Sequence, residues 1–293
     1  LNTHSDGFHG ALGHGGGYGH VYYKTAVMLY NLQYTLGDEL FLKAMQNYFN
    51  EWSFAHPYPE DFRQSMIRFT KVDLNWFFDQ WLETDKKLDY KIGKVSSEKK
   101  QGADDTEWYV TKIKLKRKGE MVMPLDLKVT DAKGNVTNYI IPNSNFAKQD
   151  SATVLPKWTG WGKLNKSHEV FIQSKDKVEQ VEIDPTQRLG DYNPVNNKWK
   201  RTPLWYLDKG RYPTSDVRKV TIGIRPDVWY NTVDGIKVGV NFERNYGRLN
   251  NTQFAAWYST TIGGYGDFTS GNSSENVQFF QYQFRHNQKL QRN

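Results

Sequence analysis

Apolar residues change their spacing twice along this chain. From Tyr22 to Leu36 the sequence is apolar almost all round, and Ala26, Leu29, Leu32 and Leu36 mark one helical face ahead of Gly37, a natural C-terminal cap. Asp38 is placed to cap a second helix, in which Phe41, Ala44, Met45, Tyr48 and Trp52 follow helical spacing. Ser53 to Pro57 breaks the pattern. Pro59-Glu60-Asp61 then opens a third helix with Phe62, Met66 and Phe69, and Asp73 starts a fourth with Leu74, Phe77, Phe78, Trp81 and Leu82. Such short connections make neighbours antiparallel, so a helical bundle is expected over residues 21–84, in a first domain of residues 1–87 that opens on a glycine–histidine loop.

Past residue 88 the spacing becomes two. Tyr90-Ile92-Val95, Trp108-Val110, Ile113-Leu115, Val122 to Val129, Val136 to Ile141, Val170-Ile172 and Val178-Val181-Ile183 read as short strands, with Lys133-Gly134-Asn135 as a hairpin turn. Seven or so such strands argue a small β-sandwich over 88–190. Trp158 and Trp161 fall in a glycine-punctuated loop and are expected to seal the sandwich edge.

The third segment, 191–293, opens on a linker-like stretch, Asp191 to Lys200. Its strands are longer and more aromatic. Ile236, Val238, Val240 and Phe242 alternate with Lys237, Gly239, Asn241 and Glu243, and Phe280, Tyr282 and Phe284 alternate with polar residues. Asp234-Gly235 and Asn250-Asn251 are expected to mark the hairpins. The pattern reads either as the start of an outer-membrane β-barrel or as a further soluble antiparallel sheet with one packed face. A barrel of at least eight strands would need more strands than these. The whole is an α+β chain: helices, then a sandwich, then a further antiparallel sheet or partial barrel.

Composition narrows the chemistry. The chain has 293 residues, room for two or three domains, and no cysteine, which excludes a disulfide framework, a thiolate metal site and a cysteine nucleophile. No stretch approaches the ~18 apolar residues of a membrane helix, and Leu1 does not open a signal peptide. The net charge of +7 is spread, and the lysines between Lys86 and Lys118 lie in alternating segments, as on a solvated sheet face. No nucleic-acid motif accompanies them, so no nucleic-acid partner is expected.

Four of the seven histidines, His4, His9, His14 and His20, lie among glycines at the start of the chain. Histidine-rich tracts can bind metal, but ligands of a catalytic metal need rigid elements, so a glycine-rich loop bordering a cleft is the plainer reading. Gly15-Gly16-Gly17-Tyr18-Gly19 lacks the Gly-Lys-Ser/Thr ending of a phosphate loop. His168-Glu169 begins a zinc-protease pattern, but Ile172 stands where the second histidine must be, and the run alternates like a strand. It is a decoy. His56, before Pro57, reads as a turn residue, and Trp52, Trp76 and Trp81 read as core.

Several of these stretches, in order, resemble one family. Tyr22-x-Lys24, Leu36-Gly37-Asp38-Glu39-x-Phe41, Phe49-x-x-Trp52, His56-Pro57-x-Pro59-x-Asp61-Phe62 and Asp73-Leu74-x-Trp76-Phe77-Phe78-x-Gln80-Trp81-Leu82 are similar to the M1 family of zinc aminopeptidases, gluzincins of the aminopeptidase N type. Met123-Pro124-Leu125 and Val181-x-Ile183-Asp184-Pro185 resemble strands of the sandwich that follows in some M1 proteins.

The resemblance implies that the helices end a thermolysin-like catalytic domain. It also implies that Tyr22, first in the family's Tyr-x-Lys-Gly pattern, hydrogen-bonds the oxyanion of a tetrahedral intermediate. A donor so placed contributes roughly 2.7–4 kcal/mol, and a phenol is protonated at neutral pH and so can donate. Thr25 stands where the family has glycine. Tyr18 and Tyr23 are the neighbouring alternatives. The family's zinc, held by His-Glu-x-x-His and a second glutamate, is expected to find its ligands upstream of this chain. The isolated chain is therefore expected to be inactive, and its parent to be a peptidase acting on peptides or proteins in the cell envelope, periplasm or outer membrane. A non-catalytic surface binding or anchoring protein on the same scaffold is the alternative.

Overall fold

The structure, a computed structural model, describes residues 19–102, 104–160, 164–207, 217–247, 249–264 and 280–288. Most of the glycine–histidine loop, with His4, His9, His14 and Tyr18, lies outside the described residues, as does Trp161. The chain divides into two compact units, one running to Tyr192 and including Asn196–Trp199, the other comprising Asn193–Val195 and the chain from Lys200 on.

The first unit begins with a π-helical turn, Gly19–Lys24, continuous with helix α1 (Thr25–Leu36). Helices α2 (Asp38–Trp52), α3 (Pro59–Thr70) and α4 (Asn75–Leu82) follow. Gly37 takes φ +83° and donates its N–H to Gln33 O at 2.8 Å, so the residue that ends α1 also starts α2. Asp38 therefore sits inside α2 and is not its cap. Its carboxylate instead pairs with the Arg188 guanidinium, which holds it below the usual carboxylate range. Pro59 and the Asp61 carboxylate, which accepts the Tyr58 N–H at 2.8 Å, fix the start of α3.

Of the expected stripe of α1, Leu32 and Leu36 are buried and Leu29 packs on the core, but Ala26 is exposed, and Lys24, Met28, Asn31 and Thr35 also point inward. An all-round apolar helix has no preferred face of its own, so distant partners choose it. Here the Asn31 amide donates to Val27 O (2.8 Å) and Arg188 O (3.2 Å).

Seven strands complete this unit as two sheets. The first has the order β1-β2-β6, from Tyr90–Gln101, Glu107–Arg117 and Ser167–Ser174. The second has the order β5-β4-β3-β7, from Thr153–Val154, Val136–Ile141, Leu125–Asp131 and Val178–Ile183. All pairs are antiparallel except β4 with β5. Strand β3 starts at Leu125 and not at Val122, because Pro124 cannot donate to the ladder. The Val122 N–H bonds Gln80 Oε1 at 2.7 Å instead.

Inward residues of both sheets, such as Ile113, Leu127, Val170 and Ile183, share one core with Leu32, Phe77 and Phe78 of the helices. Polar contacts bind the layers. The Tyr34 hydroxyl accepts the Asp126 N–H at 2.6 Å, and Lys148 Nζ lies 2.6 Å from Asp126 Oδ2 and 3.0 Å from Tyr34 O.

Among the described residues the second unit is a five-stranded sheet of order β12-β11-β10-β9-β8. Its strands are β8 (Leu204–Leu207), β9 (Val220–Asn231), β10 (Gly235–Tyr246), β11 (Asn250–Ser259) and β12 (Phe280–Gln288). The last four pair antiparallel, whereas β8 runs parallel to the first part of β9. The β9–β10 hairpin turns before Gly235, as the sequence predicts. The next does not turn at Asn250-Asn251: both pair within β11, opposite Tyr246 and Asn245, and the chain reverses through Gly247 at φ +54°. Val195, Val220 and Ile222 form a small core against Phe242 and Tyr246. Beyond it, register aligns side chains in rows, of which Ile224, Phe242, Phe254 and Phe284 form one.

Candidate active-site segment

The π-helical turn presents Val21, Tyr22 and Tyr23 outward in succession, and Tyr22 is 62% exposed. Single π turns insert one extra residue per turn and so re-aim side chains relative to the helix they join. Lys24 does the opposite. It is buried on the stripe that continues through Met28, Asn31 and Leu32. Burial lowers its pKa, and the Asp85 charge partly offsets the effect.

Close packing further along fixes the same helix. A Cβ on Gly190 would stand 2.7 Å from Val27 Cγ1 and 3.7 Å from Trp81 Cη2, so a larger residue there would have to displace Val27 of α1. Tyr22 is thus an exposed phenol on a turn anchored from beneath. Thr25, at the family's glycine position, is exposed as the first residue of α1, away from the buried stripe.

The remaining candidates separate. His56 is exposed in the α2–α3 loop. Trp81 is buried and Trp52 and Trp76 partly so, with Trp76 and Trp81 packed about Phe77 at 5.7 and 6.1 Å between ring centroids. Trp76 and Trp81 belong to the core, and Trp52 is partly buried at the end of α2. Trp158 is buried, donates to Asn165 O at 2.8 Å and stacks on His168 at 5.3 Å.

His168 and Glu169 lie on β6 and face opposite ways, Glu169 pairing with Lys112 and Lys114 at 2.7 and 3.4 Å. Among the described residues, no three His, Asp or Glu side chains converge to hold a metal ion. These residues do not fit a zinc site.

Burial holds the His168 imidazole below its usual pKa. A depressed folded-state value means the unfolded chain binds the proton first. The contribution is therefore complete above the ordinary value of about 6.5 and is lost as pH falls through the folded value. Urea titrations across that window are expected to show stability falling on the acid side, with this component absent in His168→Phe. Identical pH profiles for the two proteins would contradict it.

The peptidase family M1 domain matches residues 18–81, the span of the π turn and nearly all of α1–α4. This segment is M1-peptidase-like. The crystal structure of Legionella pneumophila aminopeptidase A in complex with aspartic acid is similar at 16% identity and TM-score 0.34, covering 56% of this chain. The likeness takes in 16% of that aminopeptidase, so the chain spans a small part of its length. No curated protein matches.

Within the M1-like segment, sequence reasoning picked out Tyr22 but assigned nothing to Lys24. The signal was present: Lys24 is the one charged residue between Tyr22 and Leu36. A lone lysine inside an apolar helix asks for a specific reason to be buried.

Proposed function

We propose that this chain is part of a zinc-dependent M1-type peptidase that hydrolyses peptides or proteins, as an aminopeptidase, and that Tyr22 is its contribution to the chemistry. The observation that carries the proposal is the pairing of an exposed Tyr22 with a buried Lys24 at the start of the M1-like segment. A phenol held on an anchored turn is pre-organised to donate to negative charge as it develops on a scissile carbonyl oxygen. Zinc would be held by residues upstream, in the parent protein. The parent would lie in the cell envelope.

The test uses the isolated chain and the parent side by side. The parent should lose peptide cleavage on chelation and regain it with zinc. The isolated chain, given zinc, should neither bind it tightly nor cleave peptides. Robust cleavage by the isolated chain would overturn the division of labour. A parent indifferent to chelators would overturn the zinc-peptidase assignment and favour a binding protein on a peptidase scaffold.

A further inference from the structure

The second unit carries an inverted sheet. On a soluble sheet the apolar face is covered and the polar face is wet. Here the even-numbered positions from Ile224 to Tyr230, Ile236 to Val240, Phe254 to Tyr258 and Phe280 to Phe284 are apolar and mostly open, beyond the small core at Val220 and Ile222. Val228, Val238, Tyr258 and Phe280 form one cross-strand row, and Val228 is 65% exposed. Pro226, Val240, Ala256 and Tyr282 form the next.

The odd-numbered face carries most of the charged and amide side chains, with Trp229, Ala255 and Trp257 among them, and on β10 and β11 it is the more buried of the two. Lys237 is 0% exposed, 2.6 Å from the Asp234 carboxylate and 5.0 Å from the centre of the Trp229 ring. Trp257 Nε1 donates to Asp227 at 3.2 Å, and the Asn251 amide reaches Glu243 at 2.6 Å.

We propose that the even face of β9–β12 is a lipid-contacting wall, seated against the acyl chains of a bilayer with the polar face turned away from lipid. Apolar-out, polar-in alternation is what membrane-spanning strands require. The four strands contain 12, 12, 10 and 9 residues, against roughly 9–11 for a tilted strand crossing a bilayer. Charge agrees. The even face of these strands bears no carboxylate among the described residues, and polar side chains first appear on it at Arg244, Thr252 and His286, in the row that Ile222 completes on β9, where they suit anionic headgroups at the edge of the apolar band. A bilayer tolerates no open strand edge, so in the vesicles β12 and the uncovered part of β9 pair with edge strands of further copies of this chain. The inference is independent of the peptidase reading.

The absence of cysteine makes the test direct, because any introduced thiol is unique. Val238→Cys, Val240→Cys and Phe254→Cys probe the even face, and Asn241→Cys, Glu243→Cys and Gln253→Cys the odd one. Each full chain is labelled with an environment-sensitive dye and mixed with vesicles of phosphatidylcholine and phosphatidylglycerol whose acyl chains carry bromine. The chain should float with the vesicles. Dye at the three even positions should be blue-shifted and quenched by about twofold or more, and dye at the odd positions should not, following the period-two alternation of a membrane strand. Three even sites on two strands guard against one label unfolding its own strand. No flotation, or equal quenching on both faces, would overturn the proposal. So would a lipid-free dimer that shields the even positions, which would make a second copy the occupant of this face.

Discussion

Tyr22→Phe in the zinc-loaded parent enzyme is expected to lower kcat and kcat/KM together by about a hundredfold or more, the loss typical of one oxyanion donor. Both parameters should fall because the hydrogen bond proposed for the phenol exists with the tetrahedral intermediate and not with the planar substrate carbonyl. Folding should be unaffected: the ring is retained, and the side chain is 62% exposed. Tyr23, exposed on the same turn, supplies the control. Tyr23→Phe should leave the rate within about twofold, since a surface hydroxyl away from the developing charge contributes little to it. Steady-state kinetics with zinc content measured on each protein decides the matter. An unchanged rate in zinc-replete Tyr22→Phe would return Tyr22 to the surface.

The second large effect concerns stability. Lys148→Met is expected to destabilise the first unit by about 3–5 kcal/mol, the cost of stranding a buried charge. Lys148 and Asp126 have side chains only 10% and 15% exposed, and their 2.6 Å contact joins the second sheet to the end of α1 through Tyr34 O. The other Asp126 oxygen, Oδ1, is buried without a hydrogen-bond partner among the described residues.

Burial raises the Asp126 pKa, and the Lys148 charge pulls it back. Removing Lys148 leaves burial unopposed at close range, so the folded-state value rises further. A carboxyl with a raised folded value favours the fold below its unfolded pKa and loses that contribution as pH rises through the folded value. The defect of Lys148→Met should accordingly shrink toward pH 4 and be largest near neutrality. Asp126→Asn in the Lys148→Met background should recover much of the loss at pH 7. Chemical denaturation followed by tryptophan fluorescence measures all three. A single-variant cost below about 1 kcal/mol would place the pair with ordinary surface bridges.

What could be read from the sequence was mostly what is decided locally. Gly37, Pro59 and Gly134 constrain only their own backbone and neighbours, and the turns and helix starts expected there are present. The two periodicities likewise separated helices from strands. Errors arose where a remote partner decides. Asp38 has the right type for a cap, but Gly37 holds the cap position, and the Asp38 carboxylate engages Arg188, 150 residues away. Asn31 is buried because Arg188 O receives its amide, a contact 157 residues apart. No window of sequence around α1 contains that information.

Tyr22 was singled out because it sits in an ordered set of motifs. The burial of Lys24, which gives the turn its anchor, depends on how α1 packs and so became visible only in the fold. The second sheet shows the same division. Alternation on β10 and β12 was plain, but which face is open, and that the polar one is the more buried, follows from cross-strand register.

The role of Tyr22 is tested most directly by the inhibition constant of a phosphinic peptide, a tetrahedral mimic of the intermediate, for the parent enzyme and its Tyr22→Phe variant. Binding of a simple amino-acid product serves as the reference. If the Tyr22 phenol donates to the oxyanion, the phosphinate should bind about a hundredfold more weakly to the variant, and the product should bind both proteins equally. Equal phosphinate affinity for the two proteins would contradict the account.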